Sequence, residues 1–131
     1  MPEAPKRAGP VARLAQRLRS RRYVVRDDSM RPAFVPGDRL YVDPRPRAGL
    51  AVGDAVVLRD PERPGAWLLK RVVELSSGPG PAAVMVRGDN GERSRDSRHF
   101  GPRPPGEIVG VVWFRYAPDA RRGPIARRPL K

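Results

Sequence analysis

Ala66-Trp67-Leu68-Leu69-Lys70-Arg71-Val72-Val73-Glu74-Leu75 is the stretch on which the fold turns. It is a run of apolar, aromatic and β-branched residues, which reads as one long strand carrying a single lysine. Ala83 to Val86 is set to pair back onto it across the Gly/Pro loop at 78–81. Upstream, Ala55-Val56-Val57-Leu58 is a strand entered through Gly53-Asp54, and Arg39-Leu40-Tyr41-Val42 is another, preceded by the turn signal Pro36-Gly37-Asp38. Tyr23-Val24-Val25 and Glu107 to Tyr116 complete a set of short strands separated by turns. The expected fold is therefore all-β, a small coiled antiparallel sheet or partly open barrel. Residues 10–20 are expected to form a short helix with Val11, Leu14 and Leu18 on one face, either docked on the domain, frayed as an arm, or resting on a membrane. This divides the chain into a basic N-terminal arm at 1–22, a globular domain at 23–117 and an Arg/Pro-rich, loose tail at 118–131. Residues 1–8 are polar and expected to be disordered.

At 131 residues the chain is long enough for one domain with a modest core. With 17 prolines, 13 glycines and only 6% aromatic residues, its composition favours strands and turns over a helical bundle. There is no cysteine and one histidine, so neither a disulfide framework nor a thiolate or histidine metal cluster is expected. No cofactor is implied.

The formal net charge of +13 invites a nucleic-acid or anionic-membrane reading. However, 24 of the 27 basic residues are arginine, and no nucleic-acid recognition motif accompanies them, so the charge is read as a solvated surface without a specific nucleic-acid partner. A non-enzymatic basic β-domain that binds nucleic acid or anionic lipid is the competing class, supported by charge alone. No stretch approaches the roughly 20 apolar residues of a membrane span, and the basic N-terminus lacks the apolar core of a secretory signal. The expected location is the cytoplasm, with peripheral contact at a membrane as the alternative.

The arginine bias makes one residue conspicuous. Of the three lysines, Lys6 and Lys131 lie in the tails, leaving Lys70 alone inside the expected domain. Arginine does not deprotonate in proteins, whereas a buried lysine can be driven neutral and act as a base. Trp67, Leu68, Leu69, Val72 and Val73 supply an apolar setting for it.

Three segments carry the functional reading. They are Ser29-Met30-Arg31-Pro32 with Gly37-Asp38-Arg39-Leu40-Tyr41-Val42, then Lys70-Arg71-Val72-Val73, then Gly88-Asp89-Asn90-Gly91-Glu92-Arg93-Ser94-Arg95-Asp96-Ser97-Arg98-His99-Phe100-Gly101. In this order they resemble the type I signal peptidase family over roughly residues 23–116. Ser-Met-x-Pro is weak alone; the Gly-Asp-Asn opening followed by Ser-x-Asp-Ser-Arg is the specific part.

The resemblance implies a Ser/Lys dyad, with Ser29 as nucleophile and Lys70 as general base. Ser94 matches the serine that orients the lysine amine, and Asp96 and Arg98 match positions that brace the active-site loop. The Ser29 backbone N–H would hold part of the oxyanion. Met30 is expected in the substrate cleft, against a competing core position. His99 matches no catalytic position and is read as a surface loop residue. Taken singly, Ser29 could cap a turn and Lys70 could face solvent; the third segment reverses those readings.

The match also departs from the family. Asp27 and Asp28 stand where Gly or Ser residues commonly precede the nucleophile, and Ala33 replaces a common threonine. A membrane anchor is not seen. The implied activity is removal of an N-terminal leader from a precursor protein. The small branch described as nickel-type superoxide dismutase maturation peptidases is resembled in size; a signal-peptidase-like enzyme acting on secretory preproteins is the alternative. The self-cleaving repressor peptidases share a Ser/Lys dyad and a Ser-Met start, but no helix-turn-helix region precedes residue 23 and the third segment points away from them.

Overall fold

Turn chemistry and β-branched runs cut the chain into seven strands, seen in a computed structural model that describes residues 9–128. The polar segment at 1–8, Lys6 and Lys131 lie outside the described residues. The elements are α1 (Pro10–Arg19), β1 (Arg21–Val24), β2 (Arg39–Asp43), β3 (Ala55–Arg59), β4 (Trp67–Ser76), β5 (Ala83–Arg87), the four-residue α2 (Ser97–Phe100), β6 (Ile108–Ala117) and β7 (Gly123–Pro124). All strands pair antiparallel in one sheet of order β1-β2-β6-β3-β4-β5, with β7 added on β6. The sheet is not closed, as the all-β reading anticipates. Register shifts in the β2/β6, β3/β6 and β4/β5 pairs bend the strands, which lets so small a sheet coil around its core.

The coil gives β3 and β4 two buried faces. Val57 and Leu69 join Val25, Met30, Phe34, Leu40, Val42, Ala55 and Val112 in one cluster; Val56, Leu58 and Val72 join Val84 and Val86 in another. This is why β3 is an unbroken apolar run rather than an alternating one. Val56 pairs with Lys70 across the β3/β4 ladder, and strand alternation puts Lys70 on the same face as Leu68 and Val72. The lysine is thereby carried into the interior by its own strand.

α1 is amphipathic, with Val11, Leu14 and Leu18 exposed, and the helix docks by its polar side. Gln16 and Arg19 donate to the buried Asp43 carboxylate at 2.8–2.9 Å, and Ser20 Oγ accepts from Trp113 Nε1 at 2.8 Å. The segment from Pro118, loose by composition, is ordered as far as it is described. Arg121 and Arg115 converge on the buried Asp38, Arg127 pairs with Asp54 at 2.8 Å, and the Arg128 N–H donates to Gly53 O at 3.0 Å. Composition hides this because the anchoring carboxylates are distant in sequence. Among the described residues no helix is long and apolar enough to cross a membrane.

Candidate active site

The chain leaves β1 through Val25, which is pinned by Val25 N–H to Asp38 O (2.9 Å) and Gly37 N–H to Val25 O (2.8 Å). The intervening loop holds Ser29, only 3% exposed. Its backbone is clamped from the segment after β5: Asn90 N–H donates to Ser29 O (2.9 Å) and Asn90 Nδ2 to Asp28 O (3.1 Å). The Ser29 N–H itself donates to Asp27 Oδ1 at 3.0 Å. Met30 is a core residue, 1% exposed, with its sulfur accepting the Asp89 N–H at 3.4 Å. It therefore does not face an open cleft; it anchors the Ser29 loop in the core by its side chain.

Lys70 is 2% exposed, and its Nζ donates to Ser94 Oγ at 3.0 Å. Ser94 Oγ passes its own proton toward Asp96 Oδ2 at 2.8 Å. Asp96 also accepts from Gly88 N–H (2.9 Å), Arg98 N–H (3.1 Å) and the Arg98 guanidinium (3.0 and 3.1 Å). These donors hold the fully buried Asp96 carboxyl well below the usual carboxylate range despite the opposing effect of burial. Arg98 Nη2 reaches on to Gly91 O at 2.8 Å. A single chain of hydrogen bonds thus runs Lys70–Ser94–Asp96–Arg98.

Burial pushes the Lys70 amine down from its ordinary value, and the anionic Asp27 and Asp96 oppose that shift. An amine lowered in this way is a proton acceptor nearer neutral pH than an exposed lysine. Its hydrogen bond goes to Ser94 rather than Ser29, which leaves the remaining tetrahedral positions of the nitrogen for another partner.

Gly88 is the point at which these parts meet. A Cβ there would lie 2.2 Å from Ser94 Oγ and 2.7 Å from Ser29 O. Only glycine lets the Ser29 and Ser94 loops approach so closely. Gly88→Ala is expected to destabilise the protein by about 3 kcal/mol, read by denaturant unfolding, and to move Ser94 away from Lys70. Gly91→Ala is the control, since its Cβ would meet nothing nearer than 3.6 Å.

Sequence reasoning missed the struts around this centre. Arg71, beside Lys70 but alternating to the other face, forms a buried ion pair with Asp89 (2.7 and 3.2 Å) and donates to Gly53 O (3.2 Å). The adjacency of Arg71 to Lys70 and of Asp89 to Gly88 was the available signal. Arg95 binds Asp60 and, at 2.6 Å, Glu62, tying the Ser94 loop to the end of β3. His99 is exposed, and its Nδ1 accepts the Asp96 N–H at 3.3 Å, closing a capping box at the start of α2. Among the described residues no group of three His, Asp or Glu side chains is disposed to hold a metal ion.

No family model matches the chain. It is similar to mitochondrial inner membrane protease subunit 1 of Mus musculus, 31% identical over 119 residues that cover 77% of this chain and 72% of the relative. Mitochondrial inner membrane protease subunit 2 of Schizosaccharomyces pombe is 34% identical over 116 residues, 74% of this chain and 64% of that protein. Mitochondrial ATP-independent inner membrane protease subunit 1b of Arabidopsis thaliana is 36% identical over 95 residues. There the match covers 59% of this chain and little more than half, 56%, of the relative.

Proposed function

The chain belongs to the type I signal peptidase family, and from that premise we propose that it is a serine endopeptidase that removes an N-terminal leader from a precursor protein, with Ser29 as nucleophile and Lys70 as general base. One observation carries the assignment. Nine of the thirteen Asp and Glu side chains among the described residues pair with arginine, yet the sole described lysine, almost fully buried, joins none of these ion pairs. A buried ammonium without a counter-ion is costly, so the site favours a neutral amine, the form a general base needs.

In the proposed reaction Ser29 Oγ adds to the scissile carbonyl carbon as its proton passes to Lys70 Nζ. The carbonyl oxygen takes the negative charge and is held in part by the Ser29 N–H. Collapse expels the leaving amine, which takes the proton from Lys70. Water then attacks the acyl-enzyme, giving a proton to Lys70 that returns to Ser29 as the ester opens. Ser94 orients the amine, and Asp96, fixed by Arg98, orients Ser94. Residual misalignment of Ser29 and Lys70 is expected before substrate binds, since such contacts commonly tighten only in the complex.

Two precursor classes are candidates. A nickel superoxide dismutase precursor is the first to test, because the small branch that the chain resembles in size acts on it. A secretory or membrane-delivered preprotein is the second, because the relatives are named as membrane protease subunits. The uncovered Val11, Leu14 and Leu18 of α1, interleaved with Arg13 and Arg17, support peripheral contact with a membrane over a purely cytoplasmic location. The test is incubation of the purified chain with each precursor, read by intact mass. Cleavage at one position, lost in Ser29→Ala, is the expected result and selects the substrate class; cleavage that persists in Ser29→Ala overturns the assignment.

A further inference from the structure

Asp27 stands apart from the other acidic residues. In a chain saturated with arginine, only Asp27, Glu74, Glu92 and Asp119 among the described carboxylates lack an arginine partner within ion-pair distance. Of these four, Asp27 alone reaches the site. Its Oδ1 takes the Ser29 N–H at 3.0 Å although Arg26 is its neighbour and its own side chain is exposed.

The same carboxylate acts on two further groups. It is the foremost charge opposing the downward shift of Lys70, ahead of Asp96 and Asp60, with Arg95 acting in the other direction. It also assists burial in pushing the Tyr23 hydroxyl on β1 up to about 12. Asp27 thus holds the Ser29 N–H directly and acts through its charge on the Lys70 amine and the Tyr23 hydroxyl, so it bears on both halves of the proposed dyad.

The Ser29 N–H is the donor a reacting carbonyl oxygen would need as it gains negative charge. One N–H cannot serve a carboxylate and an oxyanion together, and two anions at that distance repel. We propose that Asp27 is a latch on the reaction site, holding the Ser29 N–H in the resting enzyme and releasing it into use only when the carboxylate swings out to solvent as substrate arrives. The inference rests on the Ser29/Lys70 reading and adds to it a positioning residue whose conformation sets how often the site is competent. The exposure of Asp27 leaves the swing unobstructed, whereas the buried Ser29 and Met30 keep the loop itself in place.

The test needs no natural substrate. A peptide boronic acid ending in boroalanine reacts with a serine peptidase as the substrate would: Ser29 Oγ bonds to boron, its proton passes to Lys70, and the boronate carries the negative charge. Asp27→Ala removes the latch and its charge; Asp27→Asn keeps a side-chain oxygen for the N–H but removes the charge. Asp27→Ala is expected to bind the boronate about tenfold more tightly than the wild type, with Asp27→Asn between them. Both variants should bind down to lower pH than the wild type, because loss of the anion lowers the proton affinity of Lys70 further. Unchanged or weaker binding by Asp27→Ala at every pH overturns the latch. Ser29→Ala keeps the two readings distinct: retention of boronate binding there sinks the Ser29 assignment rather than the latch.

Discussion

Arginine in place of Lys70 is expected to lower the cleavage rate about a thousandfold at every accessible pH. Arg retains the positive charge, length and donor capacity of lysine but does not release its proton, so it cannot receive one from Ser29. The site adds a second penalty, because Nζ is held at 3.0 Å from Ser94 Oγ in a pocket with almost no exposure, where a guanidinium is too large. Since Lys70→Arg can perturb packing, Lys70→Met is the companion variant. It should be equally inactive, yet at least as stable as the wild type near neutral pH. The direction follows from the lowered amine. Below the folded pKa the buried ammonium is disfavoured relative to the unfolded chain; as pH rises between the folded and unfolded values the wild type recovers that stability. Methionine removes the liability altogether. Denaturant unfolding from neutral to alkaline pH should therefore show the stability advantage of Lys70→Met shrinking as pH rises. An advantage that grows with pH would contradict the burial argument.

Loss of Asp96 is expected to destabilise the protein as much as any single change at the site. Asp96→Ala leaves Ser94 Oγ, Gly88 N–H and the Arg98 guanidinium without their shared acceptor, and should cost about 3 kcal/mol. That is the lower end for a broken buried pair, because Arg98 is 36% exposed and can be rehydrated. A loss of this size should lower the melting temperature by roughly 10 °C. Because Ser94 then no longer fixes the Lys70 amine, activity should fall even at temperatures where the variant is folded. The depressed carboxyl gives the pH dependence. Its contribution is present above the unfolded carboxylate range, near pH 4, and is lost as pH falls toward the folded value. The wild type should therefore lose stability on acidification more steeply than Asp96→Ala; parallel curves would show that the buried carboxylate adds nothing.

Much of the architecture was legible because each strand carries its own signal. The six expected strands are matched by β1 to β6 to within a few residues, since each is a β-branched or aromatic run closed by Gly, Pro or Asp. The two-residue β7 was missed because Gly123-Pro124 has no strand propensity and is held by ladder contacts to Phe114 and Arg115. The docking side of α1 was likewise not legible. Its amphipathic pattern was real, but Arg19 found the buried Asp43 carboxylate, and that polar contact orients the helix with its apolar face uncovered.

For the candidate site, the resemblance of three ordered segments to the type I signal peptidase family is what implied Ser29, Lys70, Ser94, Asp96 and Arg98; composition by itself marked only Lys70, the one lysine within an arginine-rich domain. Proximity was beyond its reach. That Ser29 and Ser94 crowd against Gly88, that Met30 belongs to the core, that Arg71 and Asp89 brace the floor, and that the Asp27 carboxylate holds the Ser29 N–H all depend on how distant loops are brought together by a coiled sheet. Local patterns record which backbone state a residue prefers. Which charge faces which, and at what depth, is decided only when strands far apart in the chain share one interior.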